Sequence, residues 1–288
     1  MNRSQMQAEL QAIRNLPTLP TVAMAVNRLL LDVDAPIERL IDLLEKDPAL
    51  VMKILRLVNS SFYGFRSKIK SMRHAITLLG YNTVRNAVVS LAVMDTLTLQ
   101  KALKGFDIEV FWRHAIEVAV ASRHLAMRTQ LAPAEDAFIC GLLHDIGKVL
   151  LANFFPAELV RLFVHMQTNR QTFDRTEVEL DCWPHSHVGS YLAQRWLLPE
   201  TIYKTIKYHH AKPTGDRTPA LVTIVNMGNR LAHMINGDPY YRLDLDNRLP
   251  AVAAITSKAL CNDGRWYSLV KQEIAEACEF FSKGQRHE

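Results

Sequence analysis

Apolar residues recur at intervals of three and four along most of the chain. In "IERLIDLLEKDPALVMKILRLVNSSF", Ile37, Leu40, Ile41, Leu44, Leu50, Ile54 and Leu57 fall on helical faces. Period-two alternation, which a half-buried strand would show, is almost absent. Breaks come at Pro17, Pro20, Asp47-Pro48, Gly64, Gly80, around Pro133, and at Pro156, Pro184, Pro199, Pro213 and Pro239, and the segments between them have ordinary helix lengths. Ser71, ahead of "MRHAITLLG", has the short oxygen-bearing side chain of an N-cap; Gly80 suits the position past the helix end, where positive φ costs glycine little. The pattern predicts an all-α protein of about a dozen helices. No internal repeat or low-complexity linker is evident, so a boundary between two lobes must be tight. It is placed at Lys104 and Gly105, where "LTLQKALKGFD" loses its apolar density, giving an N-terminal helical lobe over 1–104 and a C-terminal helical lobe over 105–288.

Composition narrows the class. With 288 residues, 49% of them hydrophobic and 22% charged, the chain can bury a sizeable core. The opening "MNRSQMQAEL" carries no apolar h-region, and no later segment is an uncharged apolar run of about 18 residues, so a cytoplasmic protein with no membrane partner is expected. Cys140, Cys182, Cys261 and Cys278 are scattered, which suggests neither a disulfide framework nor a cysteine zinc site; free thiols packed as small hydrophobes are expected. A formal charge of +5 with both signs interleaved does not by itself imply a nucleic-acid partner.

One stretch conflicts with its surroundings. "GLLHDIGK", residues 141–148, places His144 and Asp145 inside the apolar run "DAFICGLLHDIGKVLLANFF". A polar stripe reaching solvent would explain the doublet as well as a functional role would. The flanking Gly141 and Gly147 tilt the balance, since glycine within a helix costs roughly 1 kcal/mol against alanine and is tolerated where something must approach closely. An unpaired buried carboxylate would cost several kcal/mol, and a metal or a cationic partner compensates it.

Further histidines could join it. His114 lies in "FWRHAIEVAVASRHLA", a helix-like run whose apolar face includes Phe111, Ala115, Val118 and Leu125; His185 and His187 lie in "HSHVGSYLAQRWLLP", and His209 and His210 in "IYKTIKYHH". Neutral imidazoles and carboxylates bind divalent transition metals when they converge from several helices, because one helix presents only neighbouring turns. Iron, manganese, zinc or nickel would suit such a donor set, as one ion or two. His124, His165 and His233 read as core or half-buried residues with one hydrogen bond each, and His74 and His287 as surface residues.

The blocks "DPALVMKILRLVNSSFYG", "IKSMRHAITLLGYNTVRNAVVSLAV", "FWRHAIEVAVASRHLA", "AFICGLLHDIGKVLL", "HSHVGSYLAQRWLLPETI" and "YHH", in that order over residues 16 to 231, resemble the HDOD family, the HD-related output domain of bacterial signalling proteins. That family is a branch of the HD superfamily of metal-dependent phosphohydrolases. The resemblance implies two helical lobes, an N-terminal bundle packed on an HD-like bundle. It implies His114, His144 and Asp145 as first metal ligands, joined by His185 and the pair His209 and His210. It also places Lys148 near substrate phosphate, with Asp145 central to any catalysis. His187 falls where the motif varies. Two departures accompany these matches: the closing aspartate is best matched by Asn229, and Ala211 stands where an acidic residue is expected after the paired histidines.

Two functions follow, with a third behind them. A regulatory module with a degenerate metal site would act through a signalling protein partner or by sensing a ligand. A metal-dependent phosphohydrolase would hydrolyse a nucleotide or cyclic dinucleotide, a phosphate-containing small molecule, with metal-activated water. Nucleic-acid binding rests on Arg66, Lys68, Lys70, Arg73 and Arg85 around a helix-turn-helix-like pattern, but Ile76, Leu78, Leu79, Val84, Val88 and Val89 there are what a core requires, and the balance is against it. Trp196 is expected to end a helix and pack between lobes rather than stack on a ligand. Tyr240 and Tyr241 mark an exposed loop. The amphipathic "WYSLVKQEIAEACEFFSK" would cap the bundle or mediate an oligomer.

Overall fold

A computed structural model describes residues 1–29, 36–59, 67–211, 219–237 and 264–284. Gly64, Arg66, Pro213, Pro239, Tyr240, Tyr241, Cys261 and His287 lie outside the described residues. Within them the chain is all-helical, with no strand beyond an isolated bridge between Leu103 and Phe106.

The N-terminal helices are α1 (Arg3–Ala12), α2 (Thr21–Leu29), α3 (Ile37–Leu44), α4 (Pro48–Val58), α5 (Met72–Leu79) and α6 (Tyr81–Thr96). Local chemistry sets their ends. Asp47 accepts from the Leu50 N–H with Pro48 in the first turn of α4; Ser71 accepts from the His74 N–H at the start of α5; Gly80, at φ 82°, separates α5 from α6. Leu40, Ile41, Leu44, Leu50, Ile54 and Leu57 are buried as their spacing predicts, whereas Ile37, in the first turn of α3, is exposed. Helices α2, α4 and α5 pack around α6, whose residues from Thr83 to Met94 are almost all buried.

That burial counts against the helix-turn-helix alternative. A recognition helix needs a free face to enter a groove, and α6 exposes only Asn82 and Asp95 at its ends, with Tyr81, Arg85 and Thr96 partly covered. Arg85 is half-buried against Asp136 (3.4 Å) and Asn86 (2.8 Å), and Arg73 pairs with Glu38. Lys68 and Lys70 remain exposed beside them. Of the apolar residues in this hairpin, Leu78 is exposed and Leu79 only partly buried.

After a turn at residues 97–107, with Gly105 at φ 88°, come α7 (Ile108–Thr129), α8 (Ala134–Leu143), α9 (Gly147–Phe154), α10 (Pro156–Asn169), α11 (Phe173–Glu179), α12 (His185–Arg195), α13 (Glu200–Tyr208), α14 (Ala220–Ile235) and α15 (Gly264–Gly284). Helix α7 lies along α8, α14 and α15, while α9 and α13 pack on α12. Residues Ala134–Phe154 together are long and apolar enough to cross a membrane, but most of them are buried inside the fold, which accounts for their composition. Cys140, Cys182 and Cys278 are free thiols.

The N-terminal bundle packs on the second at several places, two of them through side chains of its helices. Helix α6 lies against α8, where the Asn86 side chain donates to the Glu135 carbonyl. Trp196, buried at the end of α12, donates from Nε1 to the Pro17 carbonyl at 2.9 Å, and Asn27 of α2 donates to the Trp196 and Leu197 carbonyls. Trp196 is thus an interlobe residue. Helix α15 covers α7, with Glu273 2.8 Å from His124 Nε2.

Candidate metal centre

The α8–α9 junction presents the doublet. Instead of continuing the four-residue helical ladder, the Ile146 N–H donates to Leu143, the Lys148 N–H to Asp145 and the Val149 N–H to Ile146, each three residues back. The chain tightens as it passes His144 and Asp145. The two flanking glycines are contact points. A methyl group at Gly141 would lie 2.8 Å from the Ala119 Cα of α7, and one at Gly147 would collide with the His185 carbonyl at the start of α12. These close approaches pack α7 on α8 and α12 on α9.

Asp145 is the centre of the cluster and is buried to 1% exposure. Its Oδ1 lies 2.9 Å from His185 Nε2 and 3.5 Å from His209 Nε2, and its Oδ2 lies 3.3 Å from His144 Nε2. Lys148 Nζ binds the same Oδ2 at 2.5 Å and sits over the Phe173 ring. His210, half-buried, has its Nε2 3.2 Å from His185 Nε2. Among the described residues, two groups offer ligand atoms within 4.8 Å of one another: Asp145 with His185, His209 and His210, and Asp145 with His114 and His144. The cluster could hold a metal ion, and Asp145 is shared between both groups.

Hydrogen bonding fixes which ring nitrogens face inward. His144 Nδ1 is 2.7 Å from the Gly141 carbonyl and His209 Nδ1 is 2.7 Å from the Ile206 carbonyl. A carbonyl only accepts, so each Nδ1 carries the proton and each Nε2 turns toward Asp145. Both Nε2 atoms are buried without a hydrogen-bond partner, and Asp145 Oδ1 faces the His185 and His209 rings. Buried polar atoms are ordinarily satisfied. Acceptors converging on one point are a donor set for a cation, so the residues fit a metal.

His114 is held differently. Its Nε2 lies 3.0 Å from Asn229 Oδ1 on α14, and its Nδ1 is 4.0 Å from Glu117, a buried carboxylate that accepts from the Asn236 side chain. One turn before Asn229, the Asn226 side chain donates to the His209 carbonyl at 2.6 Å. Helix α14 therefore anchors both ends of the cluster. His233 is half-buried, as the sequence suggests, and packs on His114 with ring centroids 4.5 Å apart. His124 is buried and His165 half-buried, and each ring meets one hydrogen-bond partner, Glu273 and Glu179. His74 is exposed, and His187 is half-buried on α12 outside both ligand groups.

The electrostatics follow from this packing. For Asp145, burial alone would raise the pKa, but His144, Lys148 and His185 hold it well below the usual carboxylate value. Burial would lower His185, yet the Glu177 and Asp145 carboxylates on either side hold it up to about 9. Burial pushes His209 down to about 4, despite its contact with Asp145. Burial also drives His114 and His210 well below the ordinary histidine value, helped by neighbouring rings, His233 for the first and His209 for the second.

Glu177 escaped the sequence reading. It is 1% exposed and bonds His185 twice, through its backbone N–H at 2.6 Å and its Nδ1 at 2.8 Å. The available signal was periodicity: Phe173, Thr176 and Glu177 share the buried face of α11, where an acidic residue is out of place without a partner.

Comparison with known proteins agrees with this architecture. The HDOD domain family model matches residues 16–212. A candidate phosphohydrolase from Shewanella amazonensis SB2B has a similar crystal structure, with a TM-score of 0.73, 25% identity and coverage of 96% of this chain and 97% of that one. An HDOD domain protein of unknown function from Geobacter sulfurreducens shares the fold, with a TM-score of 0.70 at 24% identity over 97% of this chain and 92% of that one. An uncharacterized protein of Treponema pallidum (strain Nichols) is 27% identical over 234 residues, 80% of this chain; the chain spans 44% of that relative's length.

Proposed function

The chain belongs to the HDOD domain family, and we propose that it is a bacterial, cytoplasmic regulatory module whose HD-like lobe retains a degenerate metal centre. In this reading the lobes divide at Lys104 and Gly105. Output passes to a signalling protein partner, through direct contact or through sensing of a phosphate-containing ligand, and α15 offers a surface for oligomer formation.

Asp145, His144, His185, His209 and His210 would hold a divalent ion, with His114 at the edge. The ion would be iron, manganese, zinc or nickel, since imidazole nitrogen and carboxylate oxygen suit all four. When bound, it would supply Lewis acidity toward a phosphate oxygen or a water molecule. The chain's own groups set the rest. Main-chain carbonyls fix the His144 and His209 tautomers, Lys148 neutralises one oxygen of Asp145, and His114 and His210 are the partly exposed members of the cluster.

The observation that carries the regulatory reading is the pairing of Asn229 with His114. The position best matched to the superfamily's closing aspartate holds a neutral amide that is engaged by the first histidine. That leaves the closing-ligand position without a carboxylate and favours one firmly held ion over two. The alternative, hydrolysis of a nucleotide or cyclic dinucleotide, draws on the retained donors and on Lys148 at the rim.

Elemental analysis of protein purified without chelators or nickel resin, followed by assay on cyclic dinucleotides and nucleotides, tests both. Metal near one equivalent without turnover supports regulation. Metal-dependent turnover replaces it with hydrolysis, and protein without metal that takes none up on reconstitution overturns the metal centre.

A further inference from the structure

Glu177 stands on α11, outside the helices that carry the histidines and Asp145. A buried carboxylate needs partners, and both of its oxygens are used on one residue: Oε1 accepts the His185 backbone N–H and Oε2 faces the ring Nδ1. The backbone contact matters because α12 begins at His185 behind Pro184, whose side chain supplies no cap. Glu177 takes that part from another helix. Its own carbonyl accepts the Cys182 N–H, which closes the short connection back to His185.

We propose that Glu177 is a positioning residue of the metal centre: by binding the backbone and the ring of His185 together, it fixes that imidazole with Nε2 aimed at Asp145. The proposal rests on the metal reading above and adds a residue to it. The contrast among the three enclosed rings supports it. His144 and His209 lean on neutral carbonyls, whereas His185 leans on a full negative charge, the arrangement that orients a ligating histidine and raises its donor strength. Phe173 meets the His185 ring edge-on at 5.3 Å, so the ring is bounded by the same helix that supplies the carboxylate.

The test uses Zn²⁺ as probe, chelator competition for affinity, and nitrogen-15 spectra of the histidine rings in the loaded protein. Glu177→Gln keeps the shape but offers a single accepting oxygen to two N–H groups. Glu179→Gln, on the exposed side of α11, is the control. Wild type should bind Zn²⁺ with His185 protonated at Nδ1, and Glu177→Gln should bind roughly 10- to 100-fold more weakly and lose the slowly exchanging Nδ1–H signal; Glu179→Gln should match wild type. Wild-type affinity and an unchanged ring spectrum in Glu177→Gln would overturn the positioning role and leave the metal reading standing. Wild type that takes up no Zn²⁺ overturns both, a result seen without any variant. Should Glu177→Gln fail to fold, the wild-type spectrum decides: a proton on Nδ1 supports the role, and Zn²⁺ on Nδ1 refutes it.

Discussion

His114 Nε2 and Asn229 Oδ1 meet at 3.0 Å, tying the first histidine of the cluster on α7 to an amide on α14. In the proposed reading, the pair occupies the position of the superfamily's closing carboxylate ligand. Asn229→Asp should therefore raise the metal content toward two equivalents, or strengthen binding by roughly 10- to 100-fold. Without metal, the same variant should be less stable by about 1–3 kcal/mol, because a buried charge replaces a satisfied amide. Elemental analysis and denaturation with and without metal read both effects; an unchanged metal ratio would place the deficit elsewhere.

The metal-free protein should have a stability maximum close to neutral pH. His185 is held up to about 9 in the fold against an ordinary value of 6.5. Its contribution is complete below about pH 6.5 and is lost as pH rises through 9. His209 is pushed down to about 4, and His114 and His210 are also lowered. These three bind protons more readily in the unfolded chain, so stability falls as pH drops below 6.5. Each proton of difference contributes a slope of about 1.4 kcal/mol per pH unit, and the acid limb should be the steeper. Urea midpoints across pH 4 to 9 in chelator would show it; a flat profile would contradict the burial of these rings.

Replacing Gly147 with alanine forces a methyl against the His185 carbonyl. The backbones of α9 and α12 must separate, at a cost of about 1–3 kcal/mol. Because His185 moves with α12, metal affinity should fall in the same variant. Gly264→Ala, where the added methyl meets open space, is the control for both measurements.

Asn27→Ala addresses the lobes. Asn27 donates to the Trp196 and Leu197 carbonyls at 3.1 and 2.6 Å, and nothing in alanine replaces it. A loss of about 1–3 kcal/mol is expected from the orphaned carbonyls, with metal affinity unchanged because the contact is remote from Asp145. Loss of metal binding without loss of stability would reverse that assignment.

Helix class, caps and most of the core were legible in the order of residues. Ser71, Gly80 and Asp47-Pro48 act through local geometry, which needs only neighbours in the chain, and a spacing of three and four selects a buried face whatever lies opposite. Leu78 and Ile37 show the limit: apolar and in register, they nevertheless lie at positions the neighbouring helices leave uncovered.

The metal centre divides in the same way. Residue type and the resemblance pointed to His114, His144, Asp145, His185, His209, His210 and Asn229, because ligand chemistry belongs to the side chain. Tertiary structure alone decided which nitrogen of His144, His185 and His209 faces Asp145, that Lys148 is held by its neighbour, that Asn229 is engaged by His114, that His233 packs on His114, and that Glu177 stands behind His185. Hydrogen-bond direction and burial are set by groups that come together only when distant helices pack, and no local pattern in the chain encodes those meetings.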